Sequence, residues 1–168
     1  MTTINFKNVY VKSRATAVGP LEKDGPLGDL FDKSYDNNYC TETSFEKAER
    51  MLVYDAVDAA LRKASLKVDD IGLLVGGDLI NQLTSSHYFA KDLAVPFIGM
   101  YGACATSSLV IGQGALWVEH DMADNVVSFT SSHVATAERQ FRYPNEYGVQ
   151  KKGNHDFNGY GCRCCRII

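Results

Sequence analysis

The residue with the clearest chemical potential in this sequence is Cys104. It lies in residues 97–110, where a short apolar run passes through small residues into a predicted helix. A thiol in the first turn of a helix is close to unpaired backbone N–H groups and to the positive end of the helix dipole, which favour the thiolate. Cys104 is therefore a candidate nucleophile or ligand-binding group. The alternative is structural, since free cysteine is among the residue types most often buried in cores.

Two further polar residues, Asp78 and His133, also follow predicted strands. In doubly wound sheets the carboxyl ends of the strands converge on the ligand crevice, so residues at such positions lie on one side of the sheet. Both new candidates have a plainer interpretation as well. An aspartate at a strand end often accepts hydrogen bonds from turn amides, and His133 could be a solvated loop histidine.

The elements that must position these residues follow from the spacing of apolar and turn-forming residues. Extended segments are predicted over residues 4–12 and 15–18, and a loop rich in Gly and Pro over 19–44. Thr43-x-x-Glu46 has capping-box spacing, which marks the start of the first long helix. The later elements alternate: helix 43–63, strand 71–75, helix 85–93, strand 96–100, helix 104–120 and strand 125–130. This alternation indicates an α/β fold with a mostly parallel sheet.

Composition narrows the class of protein. The chain has 168 residues, 45% of them hydrophobic, which suits one ordinary domain. The net charge of -3 provides no basic field, so a nucleic-acid partner is not expected. No stretch approaches the about 18 apolar residues of a membrane span, and the N-terminus lacks a leader pattern, so we expect a cytoplasmic location. The terminal Cys-x-Cys-Cys cluster lacks zinc-site spacing, and no metal is expected there.

Several sequence segments resemble those of a known family. Gly-Ala-Cys-x-x-Ser at residues 102–107, followed by Gly112, Gly114 and Ala115 and by a strand ending in Ser131-Ser132, resembles the N-terminal half of the thiolase and ketoacyl synthase superfamily. The similarity is more specific to the stage V sporulation protein AD family, and it runs from about residue 4 to about residue 151. The strings that carry it are residues 22–28, 77–82, 97–107 and 130–148.

The resemblance implies a function and a site. Members of this family bind dipicolinic acid (pyridine-2,6-dicarboxylic acid), alone or with calcium, and aid its uptake into the developing spore. Three of the family's pocket positions match Asp78, Cys104 and His133. The implied partners are other stage V sporulation A proteins at the inner spore membrane, with the protein peripheral to that membrane and homodimeric when full length. No cofactor is implied.

The chemistry expected of this pocket follows from the ligand. Dipicolinate is a planar dianion, so its carboxylates need donors such as the helix N-terminus at Cys104 and an N–H-donating or protonated His133. Asp78 would orient donors or hold a cation. Arg139 and Arg142 could add donors, but a surface ion pair explains them equally well, and we leave them out of the site.

An enzyme is the competing hypothesis from the resemblance. An acyltransferase of ketoacyl synthase type would form a covalent thioester on Cys104. In that superfamily the base and the oxyanion donors come from the second half of a duplicated fold, which this sequence does not include. Ligand binding without catalysis is therefore the preferred interpretation.

The tail has a separate explanation. Reading the codons of residues 154–164 one base later permits Thr-Thr-Thr-Ser-Thr-Val-Thr-Gly-Ala-Gly-Ala, a string typical of the family at this point. We therefore predict an incomplete thiolase-like N-terminal domain over residues 1–151 and a frameshifted, disordered tail over 152–168, which would impair function. We also expect poor solubility, because helix 104–120 would expose apolar side chains. Those side chains are Leu109, Val110, Leu116 and Val118.

Overall fold

The computed structural model describes residues 3–141 and 165–167. Its central feature is a five-stranded sheet with two helices on one face and one helix on the other. Seven strands are present among the described residues: β1 Ser13–Ala15, β2 Ala17–Val18, β3 Lys33–Ser34, β4 Leu73–Asp78, β5 Phe97–Gly99, β6 Val126–Ser131 and β7 Cys165–Ile167. The helices are α1 Pro20–Lys23, α2 Phe45–Ala64, α3 Thr84–Leu93, α4 Thr106–Glu119 and α5 Val134–Phe141.

The sheet has the strand order β1-β7-β6-β4-β5. Strands β6, β4 and β5 are parallel neighbours. Asp78 pairs with Ser131, and Gly76 pairs with Gly99 on one side and Phe129 on the other. Strand β7 pairs antiparallel with both β1 and β6, while β2 and β3 form a separate parallel pair. The expected α/β fold with a mostly parallel central region is confirmed, because helices α3 and α4 each connect two parallel strands.

Side chains alternate across the sheet and build two apolar layers. Leu74, Val127 and Phe129 face α2 and α3 in the larger layer. Leu73 and Val75 face the opposite way, towards Val110 of α4, in the smaller layer. This alternation has period two, as expected for strands covered on both faces. It also determines on which face of the sheet the side chain at the end of each strand lies.

Helix α2 begins one residue later than its capping signal predicts. The N-cap is Ser44, whose hydroxyl oxygen accepts a hydrogen bond from the Lys47 backbone N–H at 3.3 Å. The Thr43-to-Glu46 capping box is therefore wrong in register. The helix ends at Ser65 in the left-handed conformation, close to the predicted end. The buried face between these ends is almost entirely apolar, with Glu49 as its one charged residue.

Other predicted boundaries also shift. Residues 4–12 form no strand, and the chain first joins the sheet at Ser13. Exposed side chains such as Ile4 and Tyr10 show why, since this segment buries little apolar surface. Strand β4 continues through Gly76 and Gly77, which were expected to end it, because both glycines lie where neighbouring groups leave no room for a side chain. No helix among the described residues is long and apolar enough to span a membrane.

Two further predictions concern the tail and the exposure of apolar side chains on α4. Residues 152–164 and 168 lie outside the described residues, and Cys165–Ile167 form β7; the frameshift stays a prediction. Of the side chains expected to be exposed on α4, Leu109 is exposed and Leu116 and Val118 are half-buried, whereas Val110 is only 1% exposed. The expectation for Val110 is wrong because this residue faces the smaller apolar layer.

Candidate functional site

All three predicted site residues lie where parallel strands end. Asp78 is the last residue of β4, His133 is the second residue after β6, and Cys104 lies in the turn between β5 and α4. Because these three strands are adjacent and parallel, their carboxyl ends form one side of the sheet. We call this side the carboxyl end of the sheet. Asp78, Cys104 and His133 therefore all lie on this side of the sheet.

A close backbone approach joins the end of β4 to the turn that carries Cys104. A Cβ atom on Gly77 would lie 1.9 Å from the Met100 carbonyl oxygen and 3.2 Å from Thr106 Cγ2. Only glycine fits there, since real Cβ atoms do not approach other atoms so closely. Thr106 then fixes the turn, because its hydroxyl accepts from the Gly102 N–H at 3.0 Å and donates to the Ala103 carbonyl at 2.8 Å.

Cys104 is exposed on this turn. It lies in the short 3-10 helix Ala103–Ala105, and α4 begins only at Thr106. The expectation that Cys104 lies in the first turn of the α-helix is therefore wrong by two residues, because the strained backbone at Ala103, with φ of 46°, delays the start of α4. Its exposure does not match the alternative in which this cysteine fills the core. Cys40 shows the contrast: it is fully buried, and burial raises the pKa of its thiol to about 11.

Asp78 is fully buried and has well-defined partners. Its carboxylate accepts hydrogen bonds from the Ile80 N–H at 3.1 Å, the Ser86 N–H at 3.0 Å and the Ser86 hydroxyl at 2.8 Å. Burial raises the pKa of Asp78, and the bonds from Ser86 oppose that effect. These bonds match the plainer interpretation in which the aspartate accepts from turn amides. They also fix the connection from β4 to α3, so Asp78 orients the loop beside the candidate cleft.

His133 is buried. Its Nδ1 accepts a hydrogen bond from the Ala135 N–H at 3.2 Å, so the proton lies on Nε2, which donates to the Asn38 carbonyl at 2.7 Å. The imidazole stacks on Phe45 at 5.2 Å between ring centroids, and Phe45 stacks on Tyr39 at 4.6 Å. The alternative of a solvated loop histidine does not fit this buried ring, and of the two expected forms of His133, protonated or N–H-donating, the hydrogen bonds fit the N–H-donating one.

A cavity of about 20 Å3 lies against His133. Its lining includes Asn38, Cys40 and Leu52 but neither Asp78 nor Cys104. A space of this size holds about one water molecule and is too small for a pyridine ring. The three candidate residues thus share one end of the sheet, but this cavity contains only His133.

Sequence reasoning missed a buried carboxyl group beside the site. Glu49 of α2 is fully buried and accepts hydrogen bonds from the Ser131 hydroxyl at 2.9 Å and the Thr136 hydroxyl at 2.8 Å. Burial, with a further contribution from the charge of Asp78, raises the pKa of Glu49 to about 7, against the opposing effect of the bonded hydroxyls. The signal was present in the sequence, because Glu49 is three residues before Leu52 and four before Val53, on the apolar face of α2.

The fold places the chain in the thiolase-like class of α/β proteins, as solved structures show. OleA of Xanthomonas campestris superposes with a TM-score of 0.60 at 15% identity, covering 99% of this chain and 59% of that one. The 3-oxoacyl-(acyl carrier protein) synthase III of Xanthomonas oryzae pv. oryzae superposes with a TM-score of 0.58 at 16% identity, covering 96% and 56%. At such identities the likeness concerns the fold alone, and it confirms the expected thiolase-like architecture.

The family follows from closer matches: the chain belongs to the stage V sporulation protein AD family. It matches the family described as Stage V sporulation protein AD over residues 1–165. It is also 52% identical over 143 residues to stage V sporulation protein AD of Bacillus subtilis. That match covers 85% of this chain and 42% of the relative, so the chain spans less than half of the relative's length. The predicted family is confirmed, and with it the assignment to sporulation proteins.

Proposed function

We propose that this protein binds dipicolinic acid at the carboxyl end of its sheet and that it aids the uptake of this compound into the developing spore. The observation that carries the proposal is the convergence of Asp78, Cys104 and His133 on the ends of three adjacent parallel strands. In open α/β sheets this is the side on which small ligands bind. The family to which the chain belongs supports the same assignment.

The chemistry of the site suits a planar dicarboxylate in part. The exposed turn around Cys104 consists of small residues, so a flat ring can approach its backbone N–H groups. His133 can donate its Nε2 proton to a carboxylate only if the Asn38 carbonyl moves away. The raised pKa of Glu49 reduces the negative charge that a dianion would meet.

Asp78 fits the orienting role better than the cation-holding one. Its two carboxylate oxygens already accept three hydrogen bonds from Ile80 and Ser86. A calcium ion would have to replace these donors, because it needs several free oxygen ligands. We therefore propose that dipicolinate binds here without an ion held by Asp78.

The proposal extends to partners and location. We propose a homodimer, other stage V sporulation A proteins as partners, and a position on the cytoplasmic side of the inner spore membrane. One structural feature supports dimer formation: β5 is the outermost described strand on its side of the sheet, and an uncovered strand can pair with another chain.

A calorimetric titration with dipicolinate tests the proposed site. The variants Asp78→Asn, Cys104→Ala and His133→Ala should each weaken binding by about tenfold or more, equal to about 1.4 kcal/mol. The matched control is His120→Ala, because His120 is exposed after the last residue of α4, at the opposite end of the sheet. Equal binding by all four variants, or none by the unaltered chain, would contradict the proposal.

An acyltransferase remains the second candidate because the thiol of Cys104 is exposed. A thiol-reactive acyl-CoA analogue should then label Cys104 and not Cys40, whose thiol is buried with a raised pKa. Peptide mapping by mass spectrometry separates these sites from the cysteines of the tail. Labelling of Cys104 that free coenzyme A prevents would favour the enzyme, whereas dipicolinate binding without such labelling would favour the carrier.

A further inference from the structure

The buried carboxyl group of Glu49 bridges the two segments that flank His133. One oxygen accepts from Ser131, the last residue of β6, and the other accepts from Thr136, in the first turn of α5. His133 lies between these two residues in the chain. The Thr136 hydroxyl is also 3.0 Å from the His133 carbonyl oxygen, so it contacts both Glu49 and the backbone of the histidine.

Stability alone does not explain a carboxyl group at this position. Glu49 occupies the apolar face of α2, and its buried carboxyl group pays a desolvation penalty that an apolar side chain would not pay. Its hydrogen bonds come only from hydroxyl groups, and among the described side chains no ion pair includes it. Departures of this kind from the local pattern are expected where a side chain serves a site.

The opposite side of the histidine is fixed separately. The carbonyl of Asn38, which lies before α2, accepts the Nε2 proton, and Phe45, the first residue of α2, stacks on the ring. Glu49 lies one helical turn further along α2. Asn38 and Phe45 therefore contact the imidazole of His133 directly. Glu49 contacts the segments on either side of His133 and so holds the backbone of that residue.

We infer that Glu49 is a positioning residue for His133, because it anchors the turn over residues 131–136 and thereby sets where the imidazole meets a ligand. The inference rests on the proposed dipicolinate site for its functional meaning. Its structural part, the orientation and tautomer of His133, does not depend on any ligand. Glutamine at this position should preserve the arrangement, since its amide can accept from one hydroxyl and donate to the oxygen of the other.

The test begins with nitrogen-detected NMR of the imidazole in the full chain. The unaltered chain and Glu49→Gln should show the Nε2-protonated tautomer of His133, while Glu49→Ala should show averaging between tautomers. Leu61→Ala is the control for general destabilisation, because Leu61 is buried near the other end of α2. It should keep the tautomer. If Glu49→Ala does not fold, Thr136→Val replaces it, with the same averaging expected.

Dipicolinate titration of the same proteins tests whether Glu49 affects ligand binding. Glu49→Ala should bind about tenfold more weakly, and Glu49→Gln and Leu61→Ala within about threefold of the unaltered chain. The inference is overturned if Glu49→Ala keeps both the tautomer and the affinity, or if Glu49→Gln or Leu61→Ala loses as much as Glu49→Ala. Absence of binding by the unaltered chain would refute the dipicolinate site alone, and the imidazole spectra would still decide the role of Glu49.

Discussion

At the scale of single residues, the site is held by polar groups inside apolar layers. Asp78 and Ser131 face each other across β4 and β6, and both point towards the layer of α2 and α3. Glu49 comes from α2 to meet Ser131 in the same layer. Cys104 lies on the turn leading into α4, which packs on the opposite face. A ligand that contacts Asp78, Cys104 and His133 together must therefore bind across the end of the sheet.

The pKa of Glu49 predicts how stability depends on pH. Burial raises this pKa from 4.5 in the unfolded chain to about 7 in the folded one, so between these values the folded state holds a proton that the unfolded state has lost. The free energy of unfolding should thus fall as pH rises from about 5 to 8, by about 3 kcal/mol for this group. Urea unfolding at several pH values measures the slope.

Glu49→Gln should flatten that pH dependence, because an amide does not titrate. Glu42→Gln serves as the control, since Glu42 lies in the loop before α2 and outside the buried cluster. A slope that is the same in the unaltered chain and in Glu49→Gln would show that Glu49 is not the group responsible. The raised pKa of Asp78 contributes with the same sign, so some slope should remain.

Sequence reasoning located the candidate residues but not their surroundings. Cys104 was found from its place between an apolar run and a predicted helix, whereas Asp78 and His133 were found through the family resemblance. The order of strands and helices then brings all three to one end of the sheet. The partners of His133 were not predictable, because Asn38 lies 95 residues away in the chain and contributes a backbone carbonyl, which every residue has. The contact between Glu49 and Ser131 likewise depends on packing over a separation of 82 residues.

At the scale of elements, the end of β4 is positioned by glycine. Predictions from apolar periodicity ended this strand at Gly76 because glycine usually interrupts strands. Here the Phe129 ring covers Gly76, and the Met100 carbonyl and Thr106 crowd Gly77. The glycines allow the strand to run through both positions as far as Asp78, its last residue, beside the candidate cleft. Such contacts between distant residues determine where a strand ends. The presence of the helices and strands was therefore predictable from local sequence, but their boundaries were not.

The close approach at Gly77 makes a strong prediction. Gly77→Ala should lower the free energy of unfolding by about 2 kcal/mol or more, because its Cβ would overlap the Met100 carbonyl and the backbone there has to move. Chemical denaturation measures the change. Gly112→Ala is the matched control: no atom lies within 4 Å of its Cβ position, and alanine favours the helix by up to about 1 kcal/mol. Similar stability in both variants would contradict the described packing.

At the scale of the whole molecule, helix α4 carries both buried and exposed apolar side chains. Its buried residues are few, and Leu109 is 37% exposed next to Val110, which is 1% exposed. Large apolar side chains are also exposed in the first part of the chain, including Leu27 and Leu30. The chain spans less than half of the length of its Bacillus subtilis relative.

The two neighbouring residues of α4 give a prediction about solubility. Leu109→Gln should reduce light scattering of a concentrated sample and leave the melting temperature nearly unchanged, because an exposed apolar side chain promotes association without packing in the core. Val110→Gln should lower the free energy of unfolding by about 2 to 4 kcal/mol, since it puts a polar group into the smaller apolar layer. Equal effects of the two substitutions would refute this description of α4.

The most direct measurement of the central claim is a nitrogen–proton NMR titration of the full chain with dipicolinate. If the ends of β4, β5 and β6 form one binding cleft, the amide signals of Asp78, the turn at Cys104 and residues 132–135 should shift together along one saturation curve. The signals around His120, at the other end of α4, should stay in place. Shifts confined to one of the three strand ends, or spread away from this end of the sheet, would contradict a shared dipicolinate site.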